Sequence, residues 1–127
     1  MLKNDFYTIS NITETDNNKL FAEIKLNPKH KIFDGHFPGN PVVPGVVSIQ
    51  IITEILSEHI KKKMMLKKAR SIKFPAVINP NNNPELHFNI NYSEQEDKSC
   101  KVLAQIFFQE TIFLKLNGNF VYDTNSL

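Results

Sequence analysis

The stretch GHFPGNPVVPG at residues 35–45, with the apolar run that follows it, decides the fold of this chain. Its three prolines, spaced by three residues with glycines among them, fit neither a helix nor a strand ladder, because proline has a fixed φ and no N–H donor. We predict a stiff loop here. From Pro44 to His59 apolar residues fall on almost every side of the helical period, which predicts a buried helix. Its β-branched residues make a strand the alternative, but about sixteen residues without a turn signal are long for a strand.

Four segments outside this region have the patterns of β-strands. They are residues 20–26, 86–92, 101–108 and 111–122. The first two alternate apolar and polar residues with a period of two, and the last two are rich in β-branched and aromatic residues. Polar turns at residues 93–99 and 109–110 predict consecutive antiparallel hairpins. A long helix must then bury its apolar surface against this sheet, so we predict an α+β fold with a central helix wrapped by the sheet.

The composition fits one ordinary domain. The chain has 127 residues, 41% of them hydrophobic and 22% charged, enough for one core and not for two, so we expect a single domain spanning residues 1–127. A single cysteine and a start without the apolar segment of a signal peptide predict a protein of the reducing cytoplasm. Gln50, Thr53 and Glu54 interrupt the most apolar region, so no membrane span is expected.

Basic residues are concentrated after the predicted helix. Seven of them and no acidic residue lie between Lys61 and Lys73, so the rest of the chain is net acidic although the whole carries +2. Such a patch attracts an acidic partner. Nucleic acid is the least favoured partner, because no aromatic residues are interleaved among the lysines. A solvated surface and a docking surface for an acidic protein fit the pattern equally well.

The predicted loop and the start of the helix carry the first candidates for chemistry. His36 is the one side chain of the loop that titrates near neutral pH. An isolated histidine is more often a surface residue, but a rigid loop before a buried helix favours a functional one. The backbone N–H groups of Gly45 and Val46 lie at the positive end of the helix dipole and can hold a carbonyl oxygen. An ordinary Pro-Gly helix entry has the same sequence.

A polar stripe runs along the otherwise apolar helix. Gln50, Thr53, Glu54 and Ser57 are spaced by three and four residues, which places them on one side. The stripe predicts either a functional groove or a side that faces solvent. Burial of Glu54 without a partner would raise its pKa and keep it protonated, as happens at functional sites. Scattered histidines, one cysteine and the absence of a glycine-rich phosphate loop predict no metal site and no cofactor.

The stretch from Gly35 to Val46 resembles the signature of the bacterial 3-hydroxyacyl-acyl-carrier-protein dehydratases, G-H-F-P-G-x-P-x-x-P-G-V. The resemblance spans about residues 31–57. It implies the hotdog fold, in which an antiparallel sheet wraps a long helix, and a dimer with its active sites at the interface. It also implies that no cofactor takes part.

The resemblance implies roles for particular residues. His36 would be the base, and Phe37 with the N–H groups of Gly45 and Val46 would bind the substrate. The family has Glu or Asp fourteen residues after the histidine, where this chain has Gln50. The family usually has Gln one turn further on, where this chain has Glu54, so a protonated Glu54 would be the acid, or Gln50 would orient a water. The residues that would dock the acidic acyl carrier protein are Lys61, Lys62, Lys63, Lys67, Lys68 and Arg70.

The expected function is therefore dehydration of 3-hydroxyacyl thioesters on an acyl carrier protein, by a homodimer, a higher oligomer of dimers or a heterodimer. Two alternatives remain open. An acyl thioesterase can use the same fold on the same thioester, and a non-catalytic subunit or acyl-carrier binding module would follow if Gln50 makes the chain inactive.

Overall fold

The computed structural model describes residues 1–15, 17–35 and 39–123. Within them the chain forms six strands, one α-helix and one short 3-10 helix at Lys31–Asp34. The α-helix, α1, spans Gly45–Ile60, within one residue of the predicted range at each end. The strands are β1 (Tyr7–Thr15), β2 (Lys19–Leu26), β3 (Met64–Lys73), β4 (Glu85–Glu94), β5 (Cys100–Phe108) and β6 (Thr111–Tyr122).

All six strands join one antiparallel sheet in the order β1-β2-β4-β5-β6-β3. The predicted hairpins are confirmed, because β4, β5 and β6 pair in succession. The helix connects β2 to β3 along the chain. In the sheet β3 is not next to β2 but pairs with β6 at the opposite edge. The α+β prediction of one helix against an antiparallel sheet is therefore confirmed, and β1 and β3 form the two edges of the sheet.

The core lies between the sheet and α1. The inward residues of β2 and β4, such as Ile24 and Phe88, are fully buried, as the period of two predicted. Ile52 and Ile55 of α1 are likewise fully buried. Each such side chain contributes about 1.5–3 kcal/mol of burial free energy, so this contact holds α1 against the sheet.

The helix is buried on one side only, which corrects the prediction of a helix covered all round. Val46 is 77% exposed and Gln50 is also exposed, whereas Ile51 is buried. The single sheet packs against only one side of α1. Within one chain, the opposite side of the helix is covered only in part. The exposed side begins at the first turn of the helix, beside the signature loop.

Two strands have no counterpart in the sequence prediction. The alternation in β1 is masked by threonine and asparagine, and in β3 by basic residues at several of its ten positions. Both strands form because their inward residues pack on the core, as Ile9 does opposite Ile24 and Leu66 opposite Phe120. No α-helix in the described ranges has the length and apolar character needed to cross a membrane.

Candidate active site

The start of α1 has two backbone donors without an acceptor. Pro44 is the N-cap and provides no side-chain hydrogen bond, and its carbonyl accepts from the N–H groups of Val47 and Ser48. In the part of the chain that the structure describes, no acceptor is found for the N–H of Gly45 or Val46. Both N–H groups lie at the positive end of the helix dipole, so they are suited to hold a developing negative charge on an oxygen.

Gly45 is needed for close packing, which changes the interpretation made from sequence. A Cβ at this position would lie 2.8 Å from Cζ of Phe74. Gly45 has no side chain of its own to block a ligand, but the Phe74 ring fills the space beside it. This ring is 52% exposed and, with Val77, lines a mainly apolar cavity of about 280 Å³ beside the helix start.

Gly45→Ala is expected to displace the Phe74 ring at a small cost in stability. The added methyl group cannot coexist with the ring at 2.8 Å, but the ring is half-exposed and can move, so we expect a loss in unfolding free energy of about 1 kcal/mol or less. Thermal unfolding of Gly45→Ala, compared with that of Phe74→Ala, measures the effect. A loss well above 1 kcal/mol in Gly45→Ala would show that the ring cannot move aside.

Glu54 is buried on α1 and accepts four hydrogen bonds. Its side chain is 4% exposed. Oε2 accepts from the backbone N–H of Leu2 at 2.8 Å and from Nε2 of Gln50 at 3.1 Å. Oε1 accepts from the N–H of Lys3 and the hydroxyl of Tyr7, each at 3.0 Å. The carboxylate therefore ties the N-terminal segment to the helix.

These donors reverse the effect of burial on the Glu54 carboxyl. Burial acts to raise its pKa, but hydrogen bonds from the Leu2 N–H, the Gln50 amide, the Tyr7 hydroxyl and the Lys3 N–H together hold the pKa below its ordinary value. The expectation of a carboxyl kept protonated by burial is therefore wrong. Burial beside this carboxylate raises the pKa of Tyr7, which remains a donor.

Of the two alternatives for the polar stripe, a groove or a side that faces solvent, the structure shows a groove. Gln50, Thr53, Glu54 and Ser57 all contribute to a cavity of about 620 Å³ along the helix. Met1, Lys3 and Asn4 form part of its wall, and Lys61, Lys62 and Lys63 lie at its far end. Sequence reasoning missed the contribution of the N-terminal segment, because its contacts with Glu54 span about fifty residues and leave no local pattern.

The structure divides the basic run between two places. Lys61 ends the helix in a left-handed conformation, Lys62 lies over the Tyr122 ring, and Lys63 lies 3.8 Å from the Asp123 carboxylate. The other three proposed docking residues, Lys67, Lys68 and Arg70, are exposed on the edge strand β3. Both groups are accessible, and the first group adjoins the groove.

Of the predicted site residues, His36 and Phe37 lie outside the described residues. The structure describes the chain on both sides of these two residues. The 3-10 helix precedes them, and residues 39–44 follow them and lead into α1. His30 caps this 3-10 helix, since its Nδ1 accepts from the Ile32 N–H at 3.0 Å. Its Nε2 lies 3.1 Å from an Asp5 carboxylate oxygen, so His30 has a structural role.

A third histidine lies in a cluster that sequence spacing did not show. His87 Nε2 lies 2.7 Å from Oε2 of Glu85 and 3.3 Å from Oε2 of Glu23 on the neighbouring strand. The potential ligand atoms of these three residues all lie within 4.8 Å of one another. Rings of Phe21 and Phe108 pack against the imidazole. The His87 imidazole therefore bridges the carboxylates of Glu23 and Glu85 on the sheet, and it does not lie at the start of α1.

An antiparallel sheet packed on one helix, whose first two N–H groups lack an acceptor among the described residues, defines a protein of the hotdog-fold class. A family model described as ApeI-like, ApeI dehydratase, matches residues 12–110. The chain belongs to this family of dehydratases.

Individual relatives agree with the fold and family. The 3-hydroxyacyl-[acyl-carrier-protein] dehydratase FabZ of Rickettsia bellii (strain OSU 85-389) is 29% identical over 94 residues, which cover 67% of this chain and 65% of the relative. The match thus spans somewhat less than two thirds of that relative.

Solved structures share the fold at low sequence identity. The dehydratase heterocomplex ApeI:P from Xenorhabdus doucetiae has a TM-score of 0.70 at 16% identity, covering 89% of this chain and 96% of that one. A hypothetical thioesterase with coenzyme A from Streptococcus pneumoniae TIGR4 has a TM-score of 0.62 at 13% identity, covering 92% and 85%.

Proposed function

We propose that the protein removes water from 3-hydroxyacyl thioesters carried on an acyl carrier protein, giving trans-2-enoyl thioesters. The observation that carries this proposal is the pair of N–H groups of Gly45 and Val46, which have no acceptor among the described residues, in a chain that belongs to a family of dehydratases. These donors are suited to the enolate-like oxygen that forms when C2 of a thioester loses its proton. The adjoining apolar cavity suits an acyl chain.

The proposed reaction uses one titratable side chain. The His36 imidazole takes the C2 proton, the C2–C3 double bond forms, and the hydroxyl leaves C3. Glu54 is ionised and has no proton to give, and Gln50 does not titrate. The proton therefore returns from the His36 imidazolium to the leaving oxygen, directly or through a water that Gln50 orients, and one water molecule is released.

The proposed active unit contains two chains. Strand β3 has a sheet neighbour on one side only, and Val46 and Gln50 lie on the exposed side of α1. A second chain at this side would cover the helix and bring its own polar groups to the helix start. The partner is a second copy of this chain or a different chain, and the heterocomplex from Xenorhabdus doucetiae is a precedent for the second arrangement.

Purified protein with a 3-hydroxyacyl carrier thioester tests the proposal. Mass spectrometry of the carrier should show loss of one water, and native mass measurement should show a dimer. Release of free acid would instead support an acyl thioesterase. A monomer or homodimer without turnover, which becomes active when a second dehydratase subunit is added, would support a non-catalytic subunit. Absence of all three results would contradict the proposal.

Charge reversal at the lysines beside the groove is expected to weaken use of the carrier-bound substrate. In Lys62→Glu/Lys63→Glu we expect KM for the carrier thioester to rise about tenfold at low salt, and less at high salt, because electrostatic steering is screened. KM for a short pantetheine thioester should not change. The matched control Lys19→Glu/Lys115→Glu places the same charges in a groove on the other face of the sheet. An equal rise in both double variants would argue against a docking surface at the helix end.

A further inference from the structure

The orientation of the Gln50 side chain is fixed by the charge of its neighbour. Its Nε2 lies 3.1 Å from Oε2 of Glu54. An ionised carboxylate only accepts hydrogen bonds, so the amide must turn its NH₂ group toward Glu54. The carbonyl Oε1 of Gln50 then points away from Glu54, and Gln50 lies on the wall of the groove.

The carboxylate that sets this orientation is itself buried and held by other donors. Three donors other than Gln50 hold it: the N–H groups of Leu2 and Lys3 and the hydroxyl of Tyr7. Tyr7 is buried, and Leu2 and Lys3 precede it by only a few residues. A carboxylate already held at both oxygens loses little further rotamer freedom when it binds a fourth donor, so only the Gln50 side chain has to be ordered for this hydrogen bond.

We infer that Glu54 is a positioning residue, which holds Gln50 so that an acceptor and not a donor faces the substrate. This inference rests on the proposed dehydration. The acceptor Oε1 would receive the hydrogen of the substrate's 3-hydroxyl, or of a water beside it, and leave a lone pair of that oxygen for the proton from His36. The site would then favour thioesters with a hydroxyl donor at C3.

The exchange of amide and carboxyl along the helix is compatible with the same hydrogen bond. The resemblance implies a carboxyl at the first position and usually an amide at the second, whereas this chain has Gln50 and Glu54. In either order an amide NH₂ can donate to a carboxylate one turn away. Both orders therefore leave an acceptor oxygen at the first position.

Glu54→Gln tests this role, with Glu58→Gln as its matched control. Glu58 lies one turn further on and also holds the N-terminal segment, through Lys3 at 2.6 Å, but does not contact Gln50. We expect Glu54→Gln to lower kcat about tenfold with KM changed less than about threefold, because two neutral amides can pair in either orientation. Glu58→Gln should change kcat less than about twofold.

The double variant Gln50→Glu/Glu54→Gln should recover kcat to within about threefold of wild type. In this variant the carboxylate at position 50 is the acceptor, and the amide at position 54 donates to it. Because the new carboxylate becomes protonated in acid, activity should fall at low pH. A kcat of Glu54→Gln equal to wild type, or a double variant no better than Glu54→Gln, would show that Glu54 only anchors the N-terminal segment.

A measurement without substrate separates this inference from the proposed function. In ¹⁵N-labelled protein one proton of the Gln50 side-chain NH₂ should be shifted downfield by the carboxylate, and this shift should vanish in Glu54→Gln but persist in Glu58→Gln. Persistence in both variants would overturn the inference. Loss in Glu54→Gln alone, in a protein without dehydratase activity, would support the amide orientation and overturn the proposed reaction.

Discussion

His36→Ala is expected to lower kcat for dehydration by about 10²–10⁴-fold, the contribution typical of a general acid–base residue. The loss should lie at the upper end of this range, because the proposed mechanism assigns both proton transfers to one imidazole. Glu54 cannot replace it as an acid, since the hydrogen bonds that lower its pKa keep it ionised. Single-turnover formation of the enoyl thioester by purified His36→Ala measures the effect.

The matched control for His36→Ala is His87→Ala. His87 lies on the sheet between two carboxylates and makes no contact with the described residues at the start of α1. We expect turnover within about twofold of wild type for this control. Enoyl formation by His36→Ala at the wild-type rate, with a normal circular dichroism spectrum, would remove the imidazole from the mechanism.

Glu54→Ala is expected to lower the free energy of unfolding by about 3 kcal/mol, because it leaves four donors without their acceptor. Two of these donors, the N–H groups of Leu2 and Lys3, belong to the N-terminal segment. This segment should then exchange its amide protons faster than β1. Urea unfolding and hydrogen exchange of wild type and variant measure the two effects.

The loss of stability in Glu54→Ala should depend on pH in one direction. Since the folded-state pKa of Glu54 lies below its ordinary value of 4.5, its contribution is complete above that pH and is lost as the pH falls through the folded-state pKa. The difference between wild type and variant should therefore shrink in acid. Glu58→Ala, whose Glu58 carboxylate is about half-exposed, is the control and should cost less than about 1 kcal/mol. A difference that grows in acid would mean that the carboxyl is protonated when buried.

Local sequence patterns predicted those helices and strands that have one side facing the core and the other side facing outward. Strands β2 and β4 follow from apolar alternation, β5 and β6 from their β-branched and aromatic residues, and the helix from a long apolar run without a turn signal. Strands β1 and β3 were missed because edge strands carry polar and charged residues that oppose association with other sheets. Their pairing depends on neighbours far along the chain, as Ile9 with Ile24 and Leu66 with Phe120.

The sequence predicted which residues form the candidate site, but it did not predict the protonation state of Glu54. The residues of the groove, Gln50, Thr53, Glu54 and Ser57, follow from their helical spacing. The protonation state of Glu54 did not, because burial alone raises a carboxyl pKa and the donors that reverse this effect come from a segment about fifty residues away.

The sequence by itself determined the family, the helix and the pair of N–H groups at its start, because each depends on residues adjacent in the chain. Only the tertiary structure decided that the Phe74 ring fills the space at Gly45 and that Glu54 is ionised and paired with Gln50. Both depend on what distant segments place beside a residue, and hydrogen bonds and steric contacts act over a few ångströms regardless of separation along the chain.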